Sequence, residues 1–151
     1  MLTKSITYTD YNGVEHTENF YFNLSKAELA ELEMSVNGGF TGLLTQMINE
    51  DDNAKLMNYF KQLILMSYGK KSNDGKRFIK KNPDGTKLAD EFYESPAYEE
   101  LFMELVNGGA KTVSDFVLGI VPASLASQAA TEHPDIANGT VTKAQLLNYG
   151  K

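Results

Sequence analysis

The chain has no cysteine, a single arginine and only two histidines in 151 residues. Without cysteine it holds no disulfide framework, no thiolate metal site and no thiol nucleophile. That fits a reducing compartment. His16 and His133 lack ligand-type spacing, so no histidine metal centre is expected. One arginine leaves little for bidentate phosphate or base-edge recognition. No apolar run approaches the roughly 20 residues that span a bilayer. The opening MLTKSITYTDY also lacks the apolar stretch of a secretion signal, which points to work inside a cell.

What is present suits one domain with a substantial core. Apolar residues make up 42% of the chain, and the net charge is −6. An acidic balance favours solubility and argues against general binding to nucleic acid or anionic membranes. The charge is uneven. Lys70, Lys71, Lys76, Arg77, Lys80, Lys81 and Lys87 are opposed only by Asp74 and Asp84, a local charge of +5 that leaves −11 elsewhere. Two readings of this basic loop stand: a lysine-solvated loop, or an electrostatic surface for a partner.

The chain begins as a β-hairpin. Asp10-Tyr11-Asn12-Gly13 carries turn chemistry, with Gly13 free to take positive φ. A two-residue Asn-Gly loop would split the apolar residues between two faces. A three-residue loop with Gly13 as a bulge pairs Asp10 with Val14 and puts Ile6, Tyr8, Val14, Phe20 and Phe22 on one face, and is the register chosen. His16 shares that face, as a packed histidine.

Helical periodicity follows. Ser25 with Glu28 forms a capping box and Leu24 with Leu29 a hydrophobic staple, opening a helix to about Ser35. Asn37-Gly38-Gly39 ends it, and a shorter piece spans Phe40 to Ile48. Asp51 or Asp52 caps a third helix to about Ser67, with Leu56, Met57, Phe60, Leu63 and Ile64 on one side. Tyr59, Leu65 and Met66 widen its apolar surface, as in a helix central to its domain or one with a partner face. From Gly69 to Lys87 the turns Asn73-Asp74-Gly75 and Asn82-Pro83-Asp84-Gly85 bracket a short β-ribbon or loop. A short helix over Lys87–Glu94 would turn Leu88 and Phe92 inward. Ser95 caps the next helix, with Pro96 at its first position and Tyr98, Leu101, Phe102, Leu105 and Val106 as one stripe. Gly108-Gly109 stops it, and Thr112 with Asp115 starts another carrying Val113, Phe116, Val117 and Ile120. Pro122 ends that face, with a weak continuation over 123–130. The fold class is mainly α, of α+β type: a helical domain over 1–130 that includes the hairpin (1–23), then a polar tail over 131–151. A last helical turn is expected at Thr142–Leu147.

No arrangement carries chemistry. Asp51-Asp52-Asn53 and Asn82-Pro83-Asp84-Gly85 lack the glycine and glutamate of a calcium loop. No serine motif accompanies a histidine, and no phosphate-cradling glycine loop is present. Paired carboxylates such as Glu99-Glu100 read as solvated helix surface. A non-enzymatic protein without cofactor is expected. What remains is apolar helix surface. Met66 and Met103 lie off their main stripes, and flexible thioethers suit adaptable binding.

The run Phe92-Tyr93-Glu94-Ser95-Pro96-Ala97-Tyr98-Glu99-Glu100-Leu101-Phe102-Met103-Glu104-Leu105 resembles phage tail assembly chaperones of long-tailed, siphovirus-type phages of Gram-positive bacteria. Their core reads aromatic–Ser–x–Ala–Tyr/Phe–x–x–Leu–Phe–Met–Glu–Leu. A spacer then leads to Phe-hydrophobic-x-Gly-Ile-hydrophobic-Pro, here Phe116-Val117-Leu118-Gly119-Ile120-Val121-Pro122. The hairpin with FYFNLSKAELAELEM is also similar. Asn107-Gly108-Gly109 departs from the Ala-Thr-Asp type of spacer, so the spacer's shape is expected to differ.

The resemblance implies a protein that binds the aggregation-prone tape measure protein in the host cytoplasm, keeps it soluble and promotes tail tube assembly. It also implies a longer form made by frameshifting, for which Gly150-Lys151 would be a slippery site, with the major tail protein as a second partner. Self-association is a further option, without nucleic acid or membrane as partners. On this reading the Tyr98–Val106 and Val113–Ile120 helices are the docking unit or its support. The candidate contacts are Met66, Tyr98, Phe102, Met103, Phe116 and Ile120, although a core role fits Leu101, Phe102, Leu105 and Phe116 as well. The alternatives are a structural tail or adaptor component of the virion, or an acidic inhibitor of a host nucleic-acid enzyme. The basic loop argues against the inhibitor.

Overall fold

Asp10 sets the first turn. Gly13 takes φ +82°, its N–H donates to Asp10 O at 3.0 Å, and the Asp10 N–H donates to Val14 O at 2.8 Å. The Asp10 carboxylate accepts the N–H groups of Asn12 and Val14 at 2.8 and 2.9 Å. This is the three-residue loop, and it joins β1 (Leu2–Thr9) to β2 (Glu15–Phe22) with Tyr8 opposite His16 and Leu2 opposite Phe22. Ile6 and Phe22 are buried, and Tyr8 and Phe20 half-buried, on the face the register assigns. Val14, out at the turn, stays 52% exposed.

The computed structural model describes residues 1–35, 42, 45, 46, 49 and 52–122. The expected stop at Asn37-Gly38-Gly39 and the continuation, tail and last turn beyond Pro122 lie outside them, as does most of the Phe40–Ile48 piece. Helix α1 (Lys26–Ser35) starts on the reciprocal bonds of a capping box. Glu28 N–H donates to Ser25 Oγ at 3.1 Å and Ser25 N–H to Glu28 Oε1 at 2.9 Å. Leu24 and Leu29, the staple pair, are both buried. Helix α2 (Asn53–Ser67) is capped by Asp52, which accepts the Ala54 N–H at 2.9 Å.

Strand β3 (Tyr68–Lys71) leaves α2 without a loop, and β4 (Phe78–Ile79) pairs with it. The expected ribbon is therefore real, but it is not separate. Tyr21 opposite Gly69 and Phe22 opposite Tyr68 add it to the hairpin, giving one antiparallel sheet in the order β1-β2-β3-β4. Gly69 allows the close approach of β4 to β3. A Cβ there would lie 2.7 Å from Ile79 O and against the Phe78 ring.

Helix α3 (Leu88–Tyr93) turns Leu88 and Phe92 inward, as periodicity requires. Helix α4 (Pro96–Asn107) has Ser95 as its cap, accepting the Tyr98 N–H at 3.3 Å, with Pro96 at its start. The expected start of the last helix at Thr112 is corrected. Helix α5 runs Gly109–Ile120, three residues earlier. Gly109 takes φ +79°, the left-handed conformation that ends α4, and α5 continues from it directly. Thr112 then lies within the first turn, donating its hydroxyl to Gly108 O at 3.0 Å instead of capping. At the other end, Ile120 O accepts the Leu24 N–H at 2.6 Å, so the hairpin's exit caps the last helix.

Phe92 is the hub of the core. Its ring stacks on Tyr68 at 4.1 Å between centroids and lies 5.4, 5.9 and 5.9 Å from Phe20, Phe22 and Tyr98. One short helix thus ties the sheet to α4 through aromatic faces and edges. Ala97, Leu101 and Ile120 are fully buried, and Leu105 and Phe116 nearly so. A Cβ on Gly119 would meet Leu2 at 2.9 Å, which marks how closely α5 lies on β1.

Candidate partner-binding surface

Helix α2 uses two faces. Leu56, Phe60, Leu63 and Ile64 are buried in the core. Tyr59, Leu65 and Met66 are half-buried and line an open cleft of about 570 Å³ with Leu32 of α1 and Ala89 of α3. Lys61, Lys87 and Asp90 also line it. Continuing from the cleft, the Lys61 ammonium sits 4.2 Å over the Tyr93 ring. Tyr93 meets Tyr98 edge-on at 5.0 Å, and Tyr98 stacks on Phe102 at 5.8 Å. An aromatic row therefore runs from α3 to α4, with Lys61 of α2 on its first ring. Burial pushes the Tyr98 phenol up to about 12, so it stays protonated across the physiological range.

The six candidate contacts separate by depth. Met103 lies 45% exposed on α4. Met66 lines the cleft, and Phe102 is half-buried at the end of the aromatic row. Tyr98, Phe116 and Ile120 are buried in the core. Burying a methionine or leucine side chain against a partner stabilises a complex by about 1.5–3 kcal/mol. A handful of such contacts suffices for a specific interface without a catalytic group. Sequence reasoning missed Lys61 and Tyr93. No spacing links them, because α2 and α3 meet only in the folded state.

The basic loop also divides. Lys70, Lys71, Lys76, Arg77 and Lys81 are exposed. Lys80 is not a solvated lysine. It donates to Asn23 O at 2.8 Å and Met66 O at 2.9 Å and pairs with the Glu28 carboxylate. Burial pulls its pKa down, against the opposing pull of Glu28. It clamps the start of α1, the end of α2 and β4 together.

The hairpin's polar groups are also engaged. His16 Nε2 lies 2.7 Å from Asp10 Oδ2 and its ring stacks on Tyr8, whose hydroxyl donates to Glu18. Among the described residues no group of three or more His, Cys, Asp or Glu is placed to hold a metal ion. No described helix is long and apolar enough to cross a membrane.

Neither the curated proteins nor the solved structures contain a match to this chain. A family model described as phage tail assembly chaperone matches residues 1–150. Within the run from Phe92 to Pro122, Phe92, Ala97, Leu101, Leu105, Phe116 and Ile120 lie in the core and Ser95 caps α4. The chain belongs to the phage tail assembly chaperone family.

Proposed function

We propose that the protein binds the tape measure protein in the host cytoplasm, keeps it soluble and promotes assembly of the tail tube around it, without catalysis. The observation that carries this reading is the second face of α2, whose cleft is joined through Lys61 to the exposed Tyr93 ring. A tape measure protein is a long helical chain with apolar surface exposed before assembly. Such a chain presents apolar residues at i, i+3, i+4 and i+7, which a cleft lined by leucine, tyrosine and methionine accommodates. The acidic exterior supplies solubility to the complex. A longer, frameshifted form would add the major tail protein as a second partner.

Co-expression with the tape measure protein of the same phage tests this. The expected result is a soluble tape measure protein that co-elutes with the chaperone on size exclusion. Met66→Glu combined with Met103→Glu should weaken co-elution at least ~10-fold, since each charge costs more than 1 kcal/mol in an apolar contact. The helical circular dichroism should persist. An insoluble tape measure protein beside a folded chaperone overturns the reading. Undiminished binding by the double variant moves the contact away from these helices.

A further inference from the structure

The two edges of the sheet differ. At one edge, β4 is two residues long and is followed directly by Lys80 and Lys81, with Lys76 and Arg77 just before it. Shortness and lysines are the ordinary protection of an exposed strand edge. At the other edge, β1 runs unbroken through eight residues, each paired with β2 on one side only. It contains no proline and no bulge. Its single charge, Lys4, is neutralised by Glu104 at 2.7 Å.

The hairpin fixes which backbone groups face outward. Asp10 N–H donates to Val14 O, so even-numbered residues of β1 bond to β2 and odd-numbered ones point away. Thr3, Ser5, Thr7 and Thr9 thus offer their N–H and C=O groups at the free edge. All four side chains are exposed and uncharged. Helices α4 and α5 approach β1 through even-numbered residues, with Glu104 on Lys4 and Gly119 on Leu2. No further strand of the described residues pairs with that edge.

We propose that this edge pairs with the same strand of a second copy, antiparallel about a two-fold axis at Ile6, so that two sheets join into one. Of the antiparallel registers that set outward residues opposite each other, this one pairs all four within the strand. Thr3 meets Thr9 of the second copy and Ser5 meets Thr7, so every outward residue falls in a hydrogen-bonded pair. About eight backbone hydrogen bonds form. The facing side chains are Ser and Thr, which bond across strands as Thr7 and Thr17 already do at 2.9 Å within one chain. No like charges oppose each other at the seam, because Lys4, the one charge on the strand, falls opposite Tyr8 of the second copy. A single strand pair is a small interface, so the association belongs to the weak, concentration-dependent class. This pairing uses a different surface from the α2 cleft and does not depend on the proposed tape measure contact.

Sedimentation velocity of the full chain across a concentration series tests the pairing. The wild-type mass should rise from one copy towards two. Thr7→Pro removes an outward donor that β2 does not use, and proline is tolerated on an edge. It should shift the midpoint at least ~10-fold upward in concentration, with the circular dichroism unchanged. Residue-resolved amide exchange on the wild type covers the case in which the variant misfolds. The amides of Thr3, Ser5, Thr7 and Thr9 should slow as concentration rises, while those of Ile6 and Tyr8 do not change. A mass of one copy at every concentration overturns the proposal. So does a mass of two copies in which those four amides remain fast.

Discussion

Lys80 is the sharpest place to test how the fold is held. Replacing it by methionine keeps the aliphatic stem and removes the ammonium. Three acceptors lose their donor: Asn23 O, Met66 O and the Glu28 carboxylate. The ammonium's two bonds to backbone carbonyls contribute about 1 kcal/mol each, and its bond to the carboxylate about 1.5–3. The full loss would be about 4 kcal/mol. The side chains of Lys80 and Glu28 are 23% and 34% exposed, so water re-solvates part of what is freed. Glu28 also keeps its bond from Ser25 N–H. The expected cost is therefore about 2–3 kcal/mol, or a fall in Tm of about 10 °C for a domain of this size. Urea denaturation reads it directly, with the midpoint lowered and the slope unchanged. A cycle with Glu28→Gln should show a coupling of about 1 kcal/mol. Desolvation of the ammonium works in the opposite direction, and buried ion pairs replaced by apolar residues are often as stable as before. A Lys80→Met protein as stable as the wild type would show that desolvation wins here and would refute the clamp.

Phe92→Ala should cost about 4 kcal/mol or more, because the cavity opens between Tyr68, Phe20, Phe22 and Tyr98. That is most of the stability of an ordinary small domain. Thermal melting should show loss of the cooperative transition or a very low midpoint; a shift of only a few degrees would remove Phe92 from the centre of the core. Acid should loosen the hairpin turn. The bond to His16, then the Val14 and Asn12 N–H groups, hold the Asp10 carboxyl below its ordinary value of 3.8. Its folded pKa is depressed, so its contribution is complete above about pH 4 and is lost as pH falls through the folded value. The protection of the Asn12 and Val14 amides, relative to their intrinsic exchange rates, should fall below that pH, and Asp10→Asn should abolish this pH dependence of the protection. Protection that is unchanged down to pH 3 in the wild type would contradict the assignment.

Much of the local structure was legible because its causes are local. The capping box at Ser25 and Glu28, the Asp52 cap, the Ser95-Pro96 helix start and the Gly13 bulge each rest on residues within four positions of one another. Hydrophobic periodicity likewise assigned Leu88 and Phe92 to the interior. The start of α5 was misplaced because two helix-start signals competed. Thr112 resembles a cap in isolation, and only the left-handed Gly109 ending α4 decides against it.

The candidate surface was half legible. Met103 and Met66 could be picked out as lying off their stripes, since a helix's own period reveals that. Which other residues meet them could not. The tertiary structure alone made the ribbon the third and fourth strands of the hairpin's sheet, because Gly69 must find both Tyr21 and the Phe78 ring. It alone turned Lys80 from a loop lysine into an internal donor for groups as far away in sequence as Asn23. It also decided which residues of the Phe92–Leu105 run are core, namely Phe92, Ala97, Tyr98, Leu101 and Leu105. The amino-acid sequence by itself determined the elements, the caps, the acidic balance and the absence of a catalytic motif, all properties of neighbours along the chain. The cleft beside α2, the aromatic row and the open edge of β1 were decided by contacts between residues distant in sequence, which the pattern of one segment does not encode.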